Sequence, residues 1–180
     1  MKESLEQANS KIENYIEQIK TYSDNIISRN TNVLDSIMRD IKNEIIDNDN
    51  IDDSLLEHYF LSLTNALYFI NSQVENMGFY DDISKLNYKI AYNEAFIQNK
   101  SKDIGNSKKQ TTTDNQIAAE NKSIEEQIMN IIYSRSYKII KTKIDSGYEM
   151  VRTLSKIISS RQQEKQLSMM NKGGYNEFTR

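Results

Sequence analysis

Not one proline occurs among the 180 residues of this chain, and glycine occurs only five times. These two residues interrupt helices most strongly and build many of the turns in β-structures. Because a sandwich or a barrel needs many such turns, the composition argues against an all-β fold. Hydrophobic residues make up only 37% of the chain, which suits helices that each bury one apolar stripe. The sequence therefore predicts an all-α fold.

Residues 2–46 are predicted to form one long helix with a heptad repeat. Its apolar residues fall seven apart, in the series Leu5, Ile12, Ile19, Ile26 and Val33. This spacing is typical of one edge of a coiled-coil seam. A helix cannot bury such a seam against itself, so a second long helix must cover it. That helix comes either from this chain, which contains one downstream, or from another copy, for which these five residues are the oligomerisation candidates.

Three more helices are predicted, at residues 54–77, 82–102 and 114–170. Gly78 is expected to stop the first of them, since glycine is the preferred residue just past a helix end. Asp81 and Asp82 are expected to cap the next, where carboxylates offset the positive end of the helix dipole. Gly147 interrupts the last helix at a cost of about 1 kcal/mol relative to alanine, and it permits a close helix crossing or a bend.

These segments are expected to form a single helical domain at residues 1–170, followed by a flexible tail at residues 171–180. The predicted fold class is an elongated helical bundle with coiled-coil character. Its two long helices, at residues 2–46 and 114–170, are predicted to pack antiparallel, and the two shorter helices to pack across them.

Residue types that carry catalysis or hold metals are scarce in this chain. It contains no cysteine, no tryptophan and one histidine, His58, which excludes disulfide scaffolds, iron–sulfur clusters and thiol nucleophiles. It contains no glycine-rich phosphate loop and no nucleophile elbow. The acidic segment at residues 47–53 lacks the glycine and the glutamate of an EF-hand loop. We therefore expect a binding or assembly protein rather than an enzyme, with no cofactor and no metal site.

The sequence predicts neither export nor membrane insertion. The N-terminal segment has no apolar core of the kind found in secretory signals. The longest apolar runs are only a few residues long, far short of a membrane span. A cytoplasmic location is expected.

Charge is distributed unevenly along the chain. Residues 1–100 contain 9 Lys/Arg and 17 Asp/Glu, a net charge of −8, whereas residues 101–180 contain 14 and 9, a net charge of +5. This asymmetry is compatible with a polyanion-binding arm, with head-to-tail self-association, or with solvated helix faces.

Cations and tyrosines alternate along the last predicted helix. Cations follow phosphates and aromatic faces accept unstacked bases, so this mixture favours binding to single-stranded nucleic acid. The alternative is that the tyrosines flank the apolar core and the cations are only solvated, and the interrupting Asp145 and Glu149 favour it. Two lysines of the preceding loop are further candidates for a phosphate, although Asp114 competes at that helix N-terminus. The nucleic-acid-binding candidates are Lys108, Lys109, Tyr133, Arg135, Tyr137, Lys138, Lys141, Lys143, Tyr148, Arg152, Lys156 and Arg161.

Three motifs together resemble a known family. A tyrosine-rich helix carries Tyr88-Lys-Ile-Ala-Tyr-Asn-Glu-Ala-Phe96, and a Lys-Lys-Gln-Thr-Thr-Thr turn follows at residues 108–113. Then Ile132-Tyr-Ser-Arg-Ser-Tyr137 leads to Leu154-Ser-Lys-Ile-Ile-Ser-Ser-Arg161. Over residues 80–167, about half of the chain, this arrangement resembles the small bacteriophage recombination mediators of the UvsY type.

The resemblance implies a helical, non-catalytic protein that self-assembles, binds single-stranded DNA and helps to load a recombinase onto DNA covered by a single-strand-binding protein. The basic and tyrosine positions from Tyr133 to Arg161 are the DNA-facing candidates that it implies. The rival interpretation is a phage structural or scaffolding protein of the virion, or another coiled-coil adaptor, that binds protein partners only. Salt distinguishes them, because binding to phosphates weakens steeply with salt and burial of an apolar seam does not.

Overall fold

The computed structural model describes residues 2–46, 51–102 and 111–173, and the regular structure of these residues is entirely helical. This confirms the all-α class, and the helices pack as a bundle. The elements are α1 (Lys2–Ile41), a π-helical turn (Lys42–Ile46), α2 (Asp53–Lys102), α3 (Thr112–Lys122) and α4 (Ile124–Gly173). The tail was predicted to begin at residue 171, but α4 continues to Gly173. The rest of the predicted tail, from residue 174, lies outside the described residues.

α2 is one continuous helix of 50 residues, which corrects the prediction of two helices at residues 54–77 and 82–102. Gly78 is helical, and it packs against the ring of Tyr137 from α4. The weak helix propensity of glycine amounts to only about 1 kcal/mol. Packing of α2 along α4 on both sides of Gly78 outweighs it, so the helix does not stop there.

The acidic pair that was predicted to cap a helix lies inside α2. Asp81 is buried, and it accepts hydrogen bonds from the Ser134 hydroxyl of α4 and from Lys85 Nζ, the latter at 2.6 Å. Asp82 is exposed, and its carboxylate lies 3.6 Å from Lys85 Nζ. Partners from the bundle thus satisfy the buried carboxylate, as a buried charge requires.

The last predicted helix, at residues 114–170, is divided in the structure because the chain turns at Ser123. Thr111 begins α3 with a capping box, in which its hydroxyl accepts a hydrogen bond from the Asp114 N–H at 3.2 Å. Ser123 is fully buried, and its hydroxyl donates to the Ala119 carbonyl at 3.0 Å. A serine hydroxyl that competes for backbone acceptors in this way destabilises a helix only slightly, and the buried Ser136 makes the same bond within the unbroken α4, so this bond alone does not account for the break.

The chain forms two compact units that share the three long helices. The first unit consists of Met1–Asn30 and Ser72–Lys141, and the second consists of Thr31–Asn71 and Thr142–Arg180. α1, α2 and α4 each contribute one segment to each unit, whereas α3 belongs to the first unit alone. The single helical domain expected from the sequence stays a prediction.

α1 and α2 run antiparallel in the second unit. Leu34 of α1 and Leu67 of α2 both pack against Gly147 of α4. Glu44, which follows Leu34 by ten residues, accepts a hydrogen bond from Tyr59, which precedes Leu67 in α2. This hydrogen bond, followed by burial, raises the pKa of Tyr59 to about 12.

α2 and α4 are also antiparallel in the second unit. Leu67 meets Gly147, and Asp53 at the start of α2 forms an ion pair with Arg161 far along α4, at 3.1 Å. α1 and α4 therefore run parallel, which corrects the prediction that the first and last long helices form the antiparallel pair. The reason is that α2 is one continuous helix rather than two. Since α2 runs opposite to α1 and α4 runs opposite to α2, α4 has the same direction as α1.

α1 packs through a stripe different from the predicted heptad seam. Its buried residues are Ser23, Ile27, Thr31, Leu34 and Ile41. Among the oligomerisation candidates, Ile12 and Val33 are exposed, Ile19 and Ile26 are half-buried, and the side chain of Leu5 lies outside the described part of the chain. The seam is thus largely uncovered within the chain, and its role in oligomerisation stays a prediction.

Candidate nucleic-acid interface

Two of the predicted base-stacking tyrosines are used for packing in the first unit. Tyr133 of α4 stacks on Tyr80 of α2, with ring centroids 5.7 Å apart and ring planes at 21°. The Tyr137 ring lies against Gly78 of α2, 3.4 Å from the point where a β-carbon would stand. Both tyrosines are half-buried, so contacts between α2 and α4 already occupy their rings.

Two of the predicted phosphate-binding cations join helices in the second unit. Lys143 of α4 forms an ion pair with the Asp35 carboxylate of α1. Arg161 of α4 donates one hydrogen bond to the Ile51 carbonyl and another to Asp53 Oδ1 at 3.1 Å. Both cations are half-buried, and their positions indicate a structural role.

The Asp53 carboxylate is the centre of this network. Lys165 also forms an ion pair with it. Hydrogen bonds from Lys165, and then from Arg161, hold the pKa of the Asp53 carboxyl below its ordinary value of 3.8. Arg161 therefore holds the start of α2 against α4 through its ion pair with Asp53.

The remaining predicted cations of α4 lie on its solvent side. They are Arg135, Lys138 and Lys141 in the first unit and Arg152 and Lys156 in the second. Arg152 pairs with Glu149, but 69% and 68% of their side chains are exposed. An ion pair this exposed contributes about 0–1 kcal/mol, so a phosphate can replace the glutamate. Lys108 and Lys109 lie outside the described residues.

A groove between α2 and α4 in the second unit brings exposed aromatic rings beside two of these cations. Tyr148 stands on the α4 rim with 39% of its surface exposed, and its hydroxyl accepts a hydrogen bond from the Asn71 side-chain amide of α2. Tyr68 lies about one turn before Asn71, and Arg152 lies about one turn after Tyr148. Because the two helices are antiparallel, Tyr68 and Arg152 lie in the same direction along the bundle from the Asn71–Tyr148 contact.

The groove deepens further along the same two helices into a cavity of about 290 Å³. Its lining residues are Glu57, Phe60, Leu61, Ser155, Ile158 and Ser159. Apolar side chains, two serine hydroxyls and the Glu57 carboxylate thus form its walls, and Lys156, next to Ser155 in the sequence, is exposed. This combination offers apolar surface to a base and hydrogen-bond partners to a sugar–phosphate chain.

Sequence reasoning missed two exposed aromatic residues of α2, of which Tyr68 lies about one turn from Asn71 and Phe69 lies on the opposite side of the helix. Tyr68 and Phe69 of α2 are 74% and 62% exposed, and their rings meet edge to face with centroids 5.6 Å apart. Neither residue belongs to the buried stripe of α2, which near them consists of Leu63, Leu67 and Ile70. Two adjacent aromatic residues that both fall off the apolar stripe were the signal available in the sequence.

The described segments show neither a metal centre nor a membrane-spanning helix. No group of three or more His, Cys, Asp or Glu side chains in these segments is placed to hold a metal ion. None of their helices combines the length and the apolar character needed to cross a membrane. Comparison of the chain with protein-family models, curated proteins and solved structures finds no match.

Proposed function

We propose that this protein binds single-stranded DNA without catalysing a reaction, and that the α2–α4 groove of the second unit is the binding surface. The observation that supports this proposal is the exposed Tyr148 at its contact with Asn71, with the exposed Tyr68 about one turn before Asn71 in α2 and Arg152 about one turn after Tyr148 in α4. Lys156 lies one turn further along α4. The resemblance to recombination mediators extends the proposal to a homo-oligomer that loads a recombinase onto DNA covered by a single-strand-binding protein, in the host cytoplasm if the chain is phage-encoded.

In such a groove the aromatic rings bind the bases and the cations bind the phosphates of the DNA. A base stacked on an aromatic ring contributes about 1–3 kcal/mol and is accepted whatever its sequence. Arg152 and Lys156 attract the phosphates between the bases, a term that is independent of sequence and weakens with salt. Duplex DNA keeps its bases stacked inside the helix, so a surface that relies on Tyr68 and Tyr148 favours single strands.

A charge-reversal pair tests the phosphate contacts. Arg152→Glu combined with Lys156→Glu is expected to abolish binding of a fluorescently labelled oligo-dT at low salt, measured by anisotropy. The matched control is Lys11→Glu with Lys20→Glu, which makes the same change in net charge on the exposed side of α1. Equal loss of affinity in both variants would show a net-charge effect and would contradict the assignment of the groove.

Ring substitutions test the stacking contacts. Tyr68→Ala and Tyr148→Ala are each expected to weaken oligo-dT binding about 5- to 150-fold, the equivalent of 1–3 kcal/mol. Tyr148→Phe keeps the ring and removes only the hydroxyl that accepts from Asn71, so its affinity is expected to stay near that of the unaltered chain. Full affinity in both alanine variants would exclude base stacking at this groove.

A second candidate function is a phage scaffold or coiled-coil adaptor that binds protein partners only. The exposed apolar residues of α1 in the first unit, Ile12, Ile16 and Tyr22, favour it, because each is more than half exposed. Exposed apolar patches of this kind mark protein–protein surfaces. This candidate predicts no oligo-dT binding at low salt, together with a defined assembly that persists at high salt.

A further inference from the structure

α2 carries apolar residues on two opposite sides in the first unit. The inner side is packed into the bundle at Met77, Asp81, Ser84, Tyr88 and Ala95. The outer side presents Phe79, Ile83, Leu86, Ile90 and Ile97, which are between 38% and 65% exposed. Each outer residue follows an inner one by two positions, which is about 200° around a helix. Exposed apolar residues that line one side of a helix mark an interaction surface.

The outer stripe has the spacing of a coiled-coil seam. Ile83, Ile90 and Ile97 form one series of every seventh residue, and Phe79 and Leu86 form the second series, four positions before Ile83 and Ile90. Two apolar series at this spacing are what allow one helix to pack along another. The seam spans residues 79–97, which is about 27 Å of helix at 1.5 Å per residue.

We propose that the outer stripe of α2 binds the same stripe of a second copy of this chain, antiparallel around a two-fold axis. In this register Ile83 of each copy meets Leu86 of the other, and Phe79 meets Ile90, giving four apolar layers, while Ile97 lies beyond these layers opposite Ser72 of the other copy. A two-fold interface must be complementary to itself, and this seam satisfies that condition because its two series interchange when the helix is reversed.

Polar residues at both ends of the seam fit the same register. Asn76 continues the first series and Asn93 continues the second, and both side chains are exposed. The antiparallel register places Asn76 of each copy opposite Asn93 of the other, so an asparagine layer closes each end of the apolar part. A polar residue in a seam fixes register, because any shift would set it against an apolar partner.

The charges beside the seam favour a second copy as the occupant and an antiparallel direction. Asp82 and Lys89 lie on one edge of the stripe, each immediately before an isoleucine of the seam. They are seven residues apart, about 10 Å along the axis, too far to pair with each other within the chain, where the Asp82 carboxylate lies 3.6 Å from Lys85 Nζ. In the antiparallel register Asp82 of each copy lies beside Lys89 of the other. A parallel register would instead set Lys100, the next seam residue of the second series, against itself.

This interface specifies the contact behind the homo-oligomer of the proposed function, and it shares no residue with the DNA groove. Dimerisation is measured without DNA, so a failure of this inference and a failure of the DNA-binding proposal are distinguishable. A chain that dimerises through α2 and binds no oligo-dT would support the interface alone.

A charge swap tests the ion pairs. Asp82→Lys and Lys89→Asp are each expected to weaken dimerisation about tenfold in sedimentation equilibrium, because each replaces two attractive pairs by two repulsive ones. The double variant Asp82→Lys with Lys89→Asp is expected to restore the dimer. The matched control is Glu94→Lys, which leaves the antiparallel register unchanged because Glu94 there lies opposite the neutral Gln73. Failure of the double variant to restore the dimer, or loss of the dimer in the control, would overturn the inference.

Disulfide capture tests the register, since the chain contains no cysteine. A mixture of the Asn76→Cys and Asn93→Cys chains is expected to form linked dimers under mild oxidation, whereas each chain alone is expected to remain unlinked. Both positions are exposed, so the substitutions should not disturb folding, which circular dichroism would check. Linked dimers from either variant alone would indicate a parallel pair, and a monomeric chain in sedimentation would exclude the interface, so either result would overturn the inference.

Discussion

Replacing Gly78 and Gly147 by alanine tests the packing of this bundle directly. Gly78 lies within α2 and Gly147 within α4, and neither has a positive φ. Alanine therefore gains the same helix propensity at both positions, about 1 kcal/mol. Any difference between the two variants in the free energy of unfolding must come from what the new β-carbon meets.

The surroundings of the two glycines differ in a way that gives a magnitude. A β-carbon at Gly78 would stand 3.4 Å from the Tyr137 ring, an ordinary contact, whereas one at Gly147 would stand 2.8 Å from Leu67 Cδ2 and 3.3 Å from Leu34 Cδ1. Both leucines are only 1% exposed, so neither can turn aside freely. Overpacking of this kind costs about 1–3 kcal/mol.

We therefore expect Gly78→Ala to raise the free energy of unfolding by up to about 1 kcal/mol and Gly147→Ala to leave it unchanged or lower it by as much as about 2 kcal/mol. The measurement is urea unfolding followed by far-ultraviolet circular dichroism, at one protein concentration because self-association shifts apparent stability. In a Leu67→Ala background, Gly147→Ala should become stabilising, since the closest clash is removed. Equal shifts for the two alanine variants would refute the close crossing at Gly147.

Three further substitutions have expected outcomes. Asp53→Asn should reduce the loss of unfolding free energy at acidic pH. The folded pKa of this carboxyl lies below its unfolded value of about 3.9, so its stabilisation is present above that pH and is lost as the pH falls through the folded pKa. The measurement is urea unfolding at a series of acidic pH values, and an unchanged loss at acidic pH would refute the role of Lys165. Thr111→Ala should lower the free energy of unfolding by about 1 kcal/mol, because it removes the capping box of α3, whereas Thr111→Ser should retain it. Asp81→Ala should cost about 1.5–3 kcal/mol in the same assay, since it removes charge-assisted hydrogen bonds within the bundle, and a loss below about 0.5 kcal/mol, the range of ordinary surface substitutions, would contradict that account.

The helical class followed from the sequence, but the breaks between helices did not. The absence of proline and the spacing of apolar residues were sufficient for the all-α prediction. Gly78 was a reasonable helix stop by local propensity, and the packing of Tyr137 against it overrides a preference of only about 1 kcal/mol. Ser123 carried no such local signal, and the equally buried Ser136 lies within the unbroken α4.

The candidate site could be predicted only in part, because exposure depends on how each helix is rotated about its axis. The exposed cations of α4 were among the predicted residues, as was Tyr148. Tyr133 and Lys143 have the same residue types at similar spacing, yet contacts with Tyr80 and Asp35 occupy them. No periodicity in α4 alone distinguishes these cases, since the partner side chains come from α2 and α1.

The heptad series of α1 was wrong as a guide to packing within the chain, for a related reason. The seven-residue spacing does not by itself say which side of a helix faces its partners, and α1 contains two such series. The buried stripe of α1 instead passes through Ile27, Leu34 and Ile41, while Ile12 and Val33 of the predicted series remain exposed. Sequence periodicity located the stripes, and the partner helices decided which stripe is buried.

The measurement that tests the central claim most directly is the affinity of the unaltered protein for labelled oligo-dT across a salt series. Each phosphate neutralised on a single strand contributes about −0.7 to the slope of log affinity against log salt. Arg152 and Lys156 alone predict a slope of about −1.4, and the five predicted cations that are exposed on α4, from Arg135 to Lys156, predict about −3.5. Binding that follows a slope in this range would support the groove as a single-stranded DNA site. Absence of binding at low salt, or affinity independent of salt, would contradict it.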